Sequence, residues 1–280
     1  MQILRSCKRF IWSSVTENLN ESCKYFEDKY ENVKWTVCPK IDVVSRENDL
    51  GQISCEAEVL PAQLSLLEKK YMLTRNEFYI AVTLLAIAIS TNAHDVRVSW
   101  VYNGRDDRVS SSSVGLFFRD LPVALRLNAE MTLRDIFAEV HEQVQNGIKY
   151  SCYPYNEIEA PPVDDDDTCI LYQRDLRDIG DFGGLTVEEI EIRQNKAASQ
   201  TVLDIQILDG EAGLQYVLDY AASRYKKETM SEFQNLFKSV VAAIVNNANT
   251  DGYDFGQLKR DVRGKKGLLQ KIKDIFANRK

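Results

Sequence analysis

The clearest hydrophobic pattern predicts two consecutive helices. Pro61 is a favourable first residue for a helix, and apolar side chains recur on one helical face after it. A second helix is predicted over about 75–91, because Thr74 and Glu77 have the spacing of a capping box. Nearly every position of this second helix is apolar, which is typical of a buried helix.

Strand patterns surround further helices. Helices are predicted from Thr132 to about Tyr150 and over 227–247. Gly210 separates two of the apolar runs, which therefore indicate a hairpin. The predicted strands are Val96–Tyr102, Val114–Val123, 169–173, 185–192, 201–208 and 214–220. Because strands and helices mix without a regular βαβ rhythm, we predict an α/β fold with a mixed β-sheet packed with helices.

Charge and length exclude several classes of protein. The 280 residues carry 35 basic and 42 acidic side chains, a net charge of −7, which argues against a general nucleic-acid binder. The longest apolar run, Ala81–Ile89, is shorter than the roughly 20 residues that span a bilayer. The N-terminus lacks the apolar stretch of a signal peptide. We therefore expect a cytoplasmic chain with no membrane span.

Residues that could carry chemistry are few. His94 and His141 belong to no metal-binding pair, and a structural role is favoured for each. The cysteines form no C-x-x-C motif and are expected to be reduced packing residues. Asp164–Asp167 is predicted to be a solvated loop rather than a cation site. The residues alone therefore predict no metal site and no catalytic residue.

Five short motifs, each weak alone, occur in the order found in condensation domains of nonribosomal peptide synthetases. Val114–Pro122 resembles the G-x-F-V-N-T-L-P motif of that family, with Arg119-Asp120 in place of N-T. The other four similarities are Leu60-Pro61-Ala62-Gln63-Leu64, Asn103-Gly104-Arg105, Tyr153-Pro154-Tyr155, and Leu203–Ile207 with the hairpin after it.

The resemblance implies a single lobe of the chloramphenicol acetyltransferase-like fold. That family has two such lobes, and its H-H-x-x-x-D-G signature lies in the first; this chain has no His-His pair. We therefore expect residues 1–55 to be a crossover from a missing first lobe, 56–258 to be the C-terminal lobe, and 259–280 to be a basic tail. The tail is expected to dock on the lobe or to end in a solvated helix, although an acidic partner or a membrane surface remains open.

The resemblance also implies roles for particular residues. Arg119 and Asp120 are expected to pair with each other or with neighbouring residues in a buried or edge salt bridge, with an altered tunnel lining as the alternative. The substrate-tunnel candidates are Phe118, Arg119, Asp120 and Tyr153. The structural motif residues are Arg105, Gly115, Pro154 and Asp204.

The implied reaction is amide formation between thioesters held by carrier proteins. No cofactor would bind directly, because the carrier proteins bring the phosphopantetheine, and the first lobe would be a further partner. Arg105–Val114 would be a floor loop, and 173–200 a latch that could also mediate self-association.

The chain is expected to be inactive alone, and condensation, epimerisation and cyclisation stay open as the parent activity. The alternatives are a non-catalytic carrier-docking or scaffolding module, and an unrelated α/β enzyme that uses Cys or His.

Overall fold

The computed structural model describes residues 19–30, 33–43, 49–105, 112–151, 167–174, 201–210 and 213–264, and every statement of structure concerns these residues. The helices are α1 Leu19–Tyr30, α2 Pro61–Tyr71, α3 Arg75–Thr91, α4 Leu133–Lys149, α5 Lys227–Asn246 and α6 over 255–264. The strands are β1 Leu50–Glu56, β2 Asp95–Tyr102, β3 Arg119–Arg126, β4 Asp167–Arg174, β5 Thr201–Gly210 and β6 Gly213–Ala221.

The strands form one six-stranded sheet in the order β1-β6-β5-β4-β2-β3. β4 pairs in parallel with both β2 and β5, and the remaining pairs are antiparallel. The predicted mixed sheet with packed helices is thus confirmed, as is the hairpin of β5 and β6, which closes at Gly210 opposite Gly213.

Helix α3 lies at the centre of the hydrophobic core. Its capping box forms as predicted: the Glu77 N–H donates to Thr74 Oγ1 at 3.2 Å, and the Thr74 N–H donates to Glu77 Oε2 at 2.7 Å. From Glu77 to Ile89 every residue of the helix is buried. Such a helix contacts α4, α5 and the sheet at once, which explains why its sequence shows no polar stripe.

One predicted strand begins later than its apolar sequence suggests. The segment before Arg119 leaves Val114 95% and Leu116 79% exposed, and β3 runs on to Arg126 instead of ending at Val123. The reason is that the Arg105 guanidinium bonds the carbonyl oxygens of this segment, as described below. The predicted strand at 185–192 lies outside the described residues.

None of the described helices is both long and apolar enough to cross a membrane alone. Together, α2 and α3 have sufficient length and apolar character, but they meet at a bend of 92°.

Candidate functional site

The two faces of the sheet have opposite chemical character. The register brings one residue from each strand into a row, and this row defines what we call the polar face. Its members are Gln52, Asp219, Asp204, Cys169, Ser99 and Pro122. Because strand side chains alternate, the intervening apolar residues point to the opposite face, which packs on the helices. The polar face is therefore the side of the sheet on which polar chemistry is concentrated.

A buried ion pair lies on the polar face between β2 and β4. Arg97 Nη2 lies 3.6 Å from Asp167 Oδ2, and both side chains are almost completely buried. Ser99 Oγ donates to the same carboxylate oxygen at 2.7 Å, and the Thr168 N–H donates to the other at 2.9 Å. Burial raises the pKa of the Asp167 carboxyl above its ordinary value, although Arg97 and these hydrogen bonds oppose that change.

The prediction of a solvated loop at Asp164–Asp167 is wrong for its last residue. Asp167 is the first residue of β4 and is only 4% exposed. Its partners are Arg97 and Ser99 of β2, a strand that is far away in sequence but adjacent in the sheet. Residues 164–166 lie outside the described residues. In the part of the chain that the structure covers, no group of His, Cys, Asp and Glu has the geometry of a metal site.

Asp120 is an exposed residue, but its carboxyl group is partly shielded from solvent and lies close to this ion pair. Loss of solvent around its carboxyl raises the pKa of Asp120, and the nearby carboxylates of Asp204 and Asp167 raise it further. Asp204 itself accepts a hydrogen bond from Thr201 Oγ1 at 2.6 Å. Three carboxylates with one neighbouring guanidinium can hold a proton or attract a cationic group such as an ammonium.

Arg119 and Asp120 lie on opposite sides of β3. Arg119 Nη1 donates to Ser151 Oγ at 3.1 Å, at the end of α4. Among the described ion pairs none joins Arg119 to Asp120, because successive strand residues point in opposite directions. Of the two pairings expected for a salt bridge, the one between Arg119 and Asp120 does not form, and a pairing with neighbouring residues stays a prediction. Phe118, which precedes the strand, is 52% exposed.

The Arg105 side chain binds the segment that leads into β3. Its guanidinium donates to the carbonyl oxygens of Ser113 and Gly115, each at 2.9 Å, and lies 4.5 Å from the centre of the Phe117 ring. Gly104 has a φ of +65°, and a Cβ there would lie 2.1 Å from the Phe117 carbonyl oxygen. The N-G-R sequence thus brings the segment close to the end of β2.

The other two candidates, Tyr153 and Pro154, lie outside the described residues, as do 106–111 of the expected floor loop and 175–200 of the expected latch. Sequence reasoning missed Arg97, Ser99 and Asp167. A signal was present for the first two, because they alternate with apolar residues in β2. No local signal links Asp167 to them.

Both histidines contact groups away from the polar face. His94 Nδ1 lies 2.9 Å from the carbonyl oxygen of Leu127, at the turn before β2. His141 Nδ1 lies 2.9 Å from Glu77 Oε1, between α4 and the start of α3. The described cysteines, which are Cys23, Cys38, Cys55 and Cys169, are free thiols.

Comparison with known proteins identifies the family. The family model for the condensation domain matches residues 36–259. The chain belongs to the condensation-domain family. The resemblance drawn from the five motifs is confirmed at this level, and an unrelated α/β enzyme is excluded.

Known condensation-domain relatives are distant in sequence. Bacitracin synthase 3 of Bacillus licheniformis is 23% identical over 222 residues, which cover 76% of this chain and 3% of that protein. The X-domain from teicoplanin biosynthesis, in complex with OxyB, has a TM-score of 0.71 at 15% identity over 89% of this chain and 58% of its own. The condensation domain of the Monacolin K polyketide synthase MokA has a TM-score of 0.68 at 13% identity over 90% and 62%. This chain therefore spans about three fifths of either structure.

Proposed function

We propose that this chain is the second, C-terminal lobe of a nonribosomal peptide synthetase condensation domain and that the polar face forms one wall of its substrate tunnel. In the parent reaction, the amine of an acceptor thioester attacks the carbonyl carbon of a donor thioester. The new C–N bond forms, the C–S bond breaks, and the amine proton leaves as the donor phosphopantetheine thiol is released. Carrier proteins hold both thioesters, so the lobe itself needs no cofactor.

The observation that carries this proposal is the position of the two histidines. The chain has only His94 and His141, and both contact groups outside the polar face. The H-H-x-x-x-D-G motif that handles the amine proton in this family is missing from the sequence. A first lobe has to supply it, and the isolated chain is therefore inactive.

The polar face supplies what a tunnel wall needs. Asp120 and Asp204 would attract the acceptor ammonium and orient its amine, while the buried Arg97–Asp167 pair holds the strands beneath them in place.

The strongly exposed apolar side chains of Val114 and Leu116 lie at the edge of the sheet, where a first lobe would cover them.

We keep the boundaries at 1–55 for the crossover, 56–258 for the lobe and 259–280 for the tail, with the crossover ending in β1, which joins the sheet of the lobe by pairing with β6. Helix α6 connects the lobe and the tail, because Leu258 and Val262 are both buried. A cytoplasmic location agrees with thioester chemistry on carrier proteins.

The test measures amide formation by mass spectrometry from two aminoacylated carrier proteins. The chain alone should give no product, and product should appear when a first lobe with the H-H-x-x-x-D-G motif is added as a separate polypeptide. Amide formed by the chain alone would contradict the proposal, especially if His141→Ala removed it.

A non-catalytic carrier-docking or scaffolding module is the second candidate, and Arg119-Asp120 favours it. These charged residues replace the N-T of the family motif, and Asp120 places an additional carboxylate on the proposed wall. Binding of a carrier protein without amide formation, even with an active first lobe present, would identify this alternative.

A further inference from the structure

The two outer strands of the sheet, β1 and β3, differ in whether side chains bond the backbone groups at their open edges. In an antiparallel ladder, alternate residues direct their N–H and C=O groups to the neighbouring strand, and the others direct them away. The Leu127 N–H donates to the His94 carbonyl at 2.8 Å, so even-numbered residues of β3 face outward. The Ala57 N–H donates to the Leu214 carbonyl at 2.7 Å, so even-numbered residues of β1 also face outward.

Side chains occupy the outer edge of β3. Pro122 has no N–H, and its carbonyl oxygen accepts a hydrogen bond from the Tyr30 hydroxyl at 3.0 Å. The Gln143 amide bonds both outward groups of Ala124, accepting from the N–H at 2.9 Å and donating to the carbonyl at 2.6 Å. These contacts and the charged Arg126 prevent another strand from pairing here.

The outer edge of β1 has no such protection. Its outward-facing residues are Leu50, Gln52, Ser54 and Glu56. Over the described ranges, no side chain or strand bonds their backbone groups on that side. The strand also contains no proline, lysine or arginine, which are the residues that commonly keep an edge from pairing. An edge of seven residues in this condition is a template for another strand.

We propose that β1 is a strand-pairing surface and that its partner is β1 of a second copy of this chain. The pairing is antiparallel about Ile53, with Gln52 opposite Ser54 of the second copy and Leu50 opposite its Glu56. The proposal is independent of the proposed function.

The sequence of β1 suits this partner. In the register about Ile53, every outward-facing residue lies opposite another one, and each opposed pair can exchange two hydrogen bonds. Shifting the register by one pair leaves residues at both ends unpaired. The register also opposes no like charges, because Glu56 meets Leu50 rather than another acidic residue. A two-fold axis produces this pairing from two identical edges and closes the assembly.

The test combines analytical ultracentrifugation with residue-resolved amide hydrogen exchange at several protein concentrations. We expect a monomer–dimer equilibrium in which exchange at Leu50, Gln52, Ser54 and Glu56 slows as dimer forms. The amides of Gly51, Ile53 and Cys55 should be protected at every concentration, because they bond β6.

Ser54→Pro removes an outward-facing N–H without removing a hydrogen bond to β6. It should weaken the dimer about tenfold or more, because the two-fold axis repeats the loss. Ser54→Ala keeps the N–H and should dimerise like the natural chain. If Ser54→Pro does not fold, the double variant Gln52→Lys and Ser54→Lys places lysines opposite each other and should give the same loss.

Three results would overturn the proposal. The first is a monomer at all concentrations, and the second is a dimer that none of these variants weakens. The third is slow exchange at the four outward-facing amides that does not change with concentration, which would mean that the chain covers its own edge.

Discussion

The same strands form both faces of the sheet, but side chains on the two faces have different environments. Ile205 and Gln206 are neighbours in β5, but Ile205 is fully buried beneath the helices whereas Gln206 donates to Asp219 Oδ2 at 2.6 Å on the polar face. A shift of one residue in the pairing register of β5 would place Gln206 under the helices and Ile205 on the polar face. The helix-covered face therefore holds the hydrophobic core, whereas the polar face carries the charged and hydrogen-bonding side chains to which we assign the function.

The polar face still has one buried element, and its disruption should have the largest effect. Arg97→Leu leaves the buried Asp167 carboxylate without its counter-charge and should cost about 3–5 kcal/mol of unfolding free energy at pH 7. Urea denaturation measures this loss, with Arg97→Lys as the control that keeps a positive charge.

The pH dependence of Arg97→Leu follows from the pKa of Asp167. Burial already raises this pKa, and removal of Arg97 should raise it further. A raised carboxyl pKa favours the protonated folded state, so the loss should shrink as the pH falls through that value and Asp167 becomes neutral. A loss below about 1 kcal/mol at pH 7, or one that does not change with pH, would mean that the pair is unimportant.

The two faces can be compared directly at adjacent positions. Ile205→Ala opens a cavity under the helices and should cost about 2–5 kcal/mol. Gln206→Ala removes one hydrogen bond at a partly exposed site and should cost about 1 kcal/mol. Chemical denaturation of the two variants under the same conditions gives the comparison, and equal losses would contradict the distinction between the faces.

The loop leading to the sheet edge depends on a glycine. Gly104→Ala should cost about 1–3 kcal/mol, because φ is +65° and the new Cβ meets the Phe117 carbonyl oxygen. Gly252→Ala is the matched control, since φ there is +69° but no atom lies within 4 Å of the new Cβ. Thermal melts should show the larger loss at Gly104; a larger loss at Gly252 would argue against the close approach.

The smallest expected effect is a gain in stability. Asp120→Asn removes a carboxylate whose pKa is raised by partial burial and by Asp204 and Asp167. It should stabilise the chain at pH 7 by roughly 0.2–1 kcal/mol, the size of an exposed charge interaction. Because the protonated acid resembles the amide, the gain should shrink as the pH falls through the raised pKa of Asp120, and it should be absent below about pH 4, the ordinary pKa of an aspartate.

Asp135→Asn is the control of opposite sign. Hydrogen bonds from Thr132 hold the pKa of Asp135 below its ordinary value. Its ionised form therefore stabilises the folded state at pH 7, and the substitution should destabilise the chain there. A loss of stability in Asp120→Asn would show that the Asp120 carboxylate is favourably paired.

Local signals predicted the helices well. The capping box of Thr74 and Glu77 and the apolar run behind it are contained in consecutive residues, so the start and burial of α3 could be found without the fold. Strand β1 shows why other elements were missed. Only Ile53 and Cys55 of its side chains contribute apolar contacts to the core, too few to predict a strand from the sequence.

The candidate site was harder to predict from the sequence, because its contacts join segments that are far apart along the chain. Asp167 looks like part of a solvated acidic run until β4 pairs with β2 and brings it to Arg97. Asp120 was found because it interrupts the family motif. Its separation from Arg119 follows from the alternation of side chains along a strand, and this could be applied only once the first residue of β3 was known. Roles for Tyr153 and Pro154 stay predictions.

We propose that the polar face, rather than the helix layer, is the functional surface. The most direct test is an NMR titration of the isotope-labelled chain with a carrier protein that bears an aminoacyl phosphopantetheine thioester. We expect chemical-shift changes at Arg97, Ser99, Asp120 and Asp204, with little change in α3 and α5. Changes confined to those helices, with an unperturbed polar face, would contradict it.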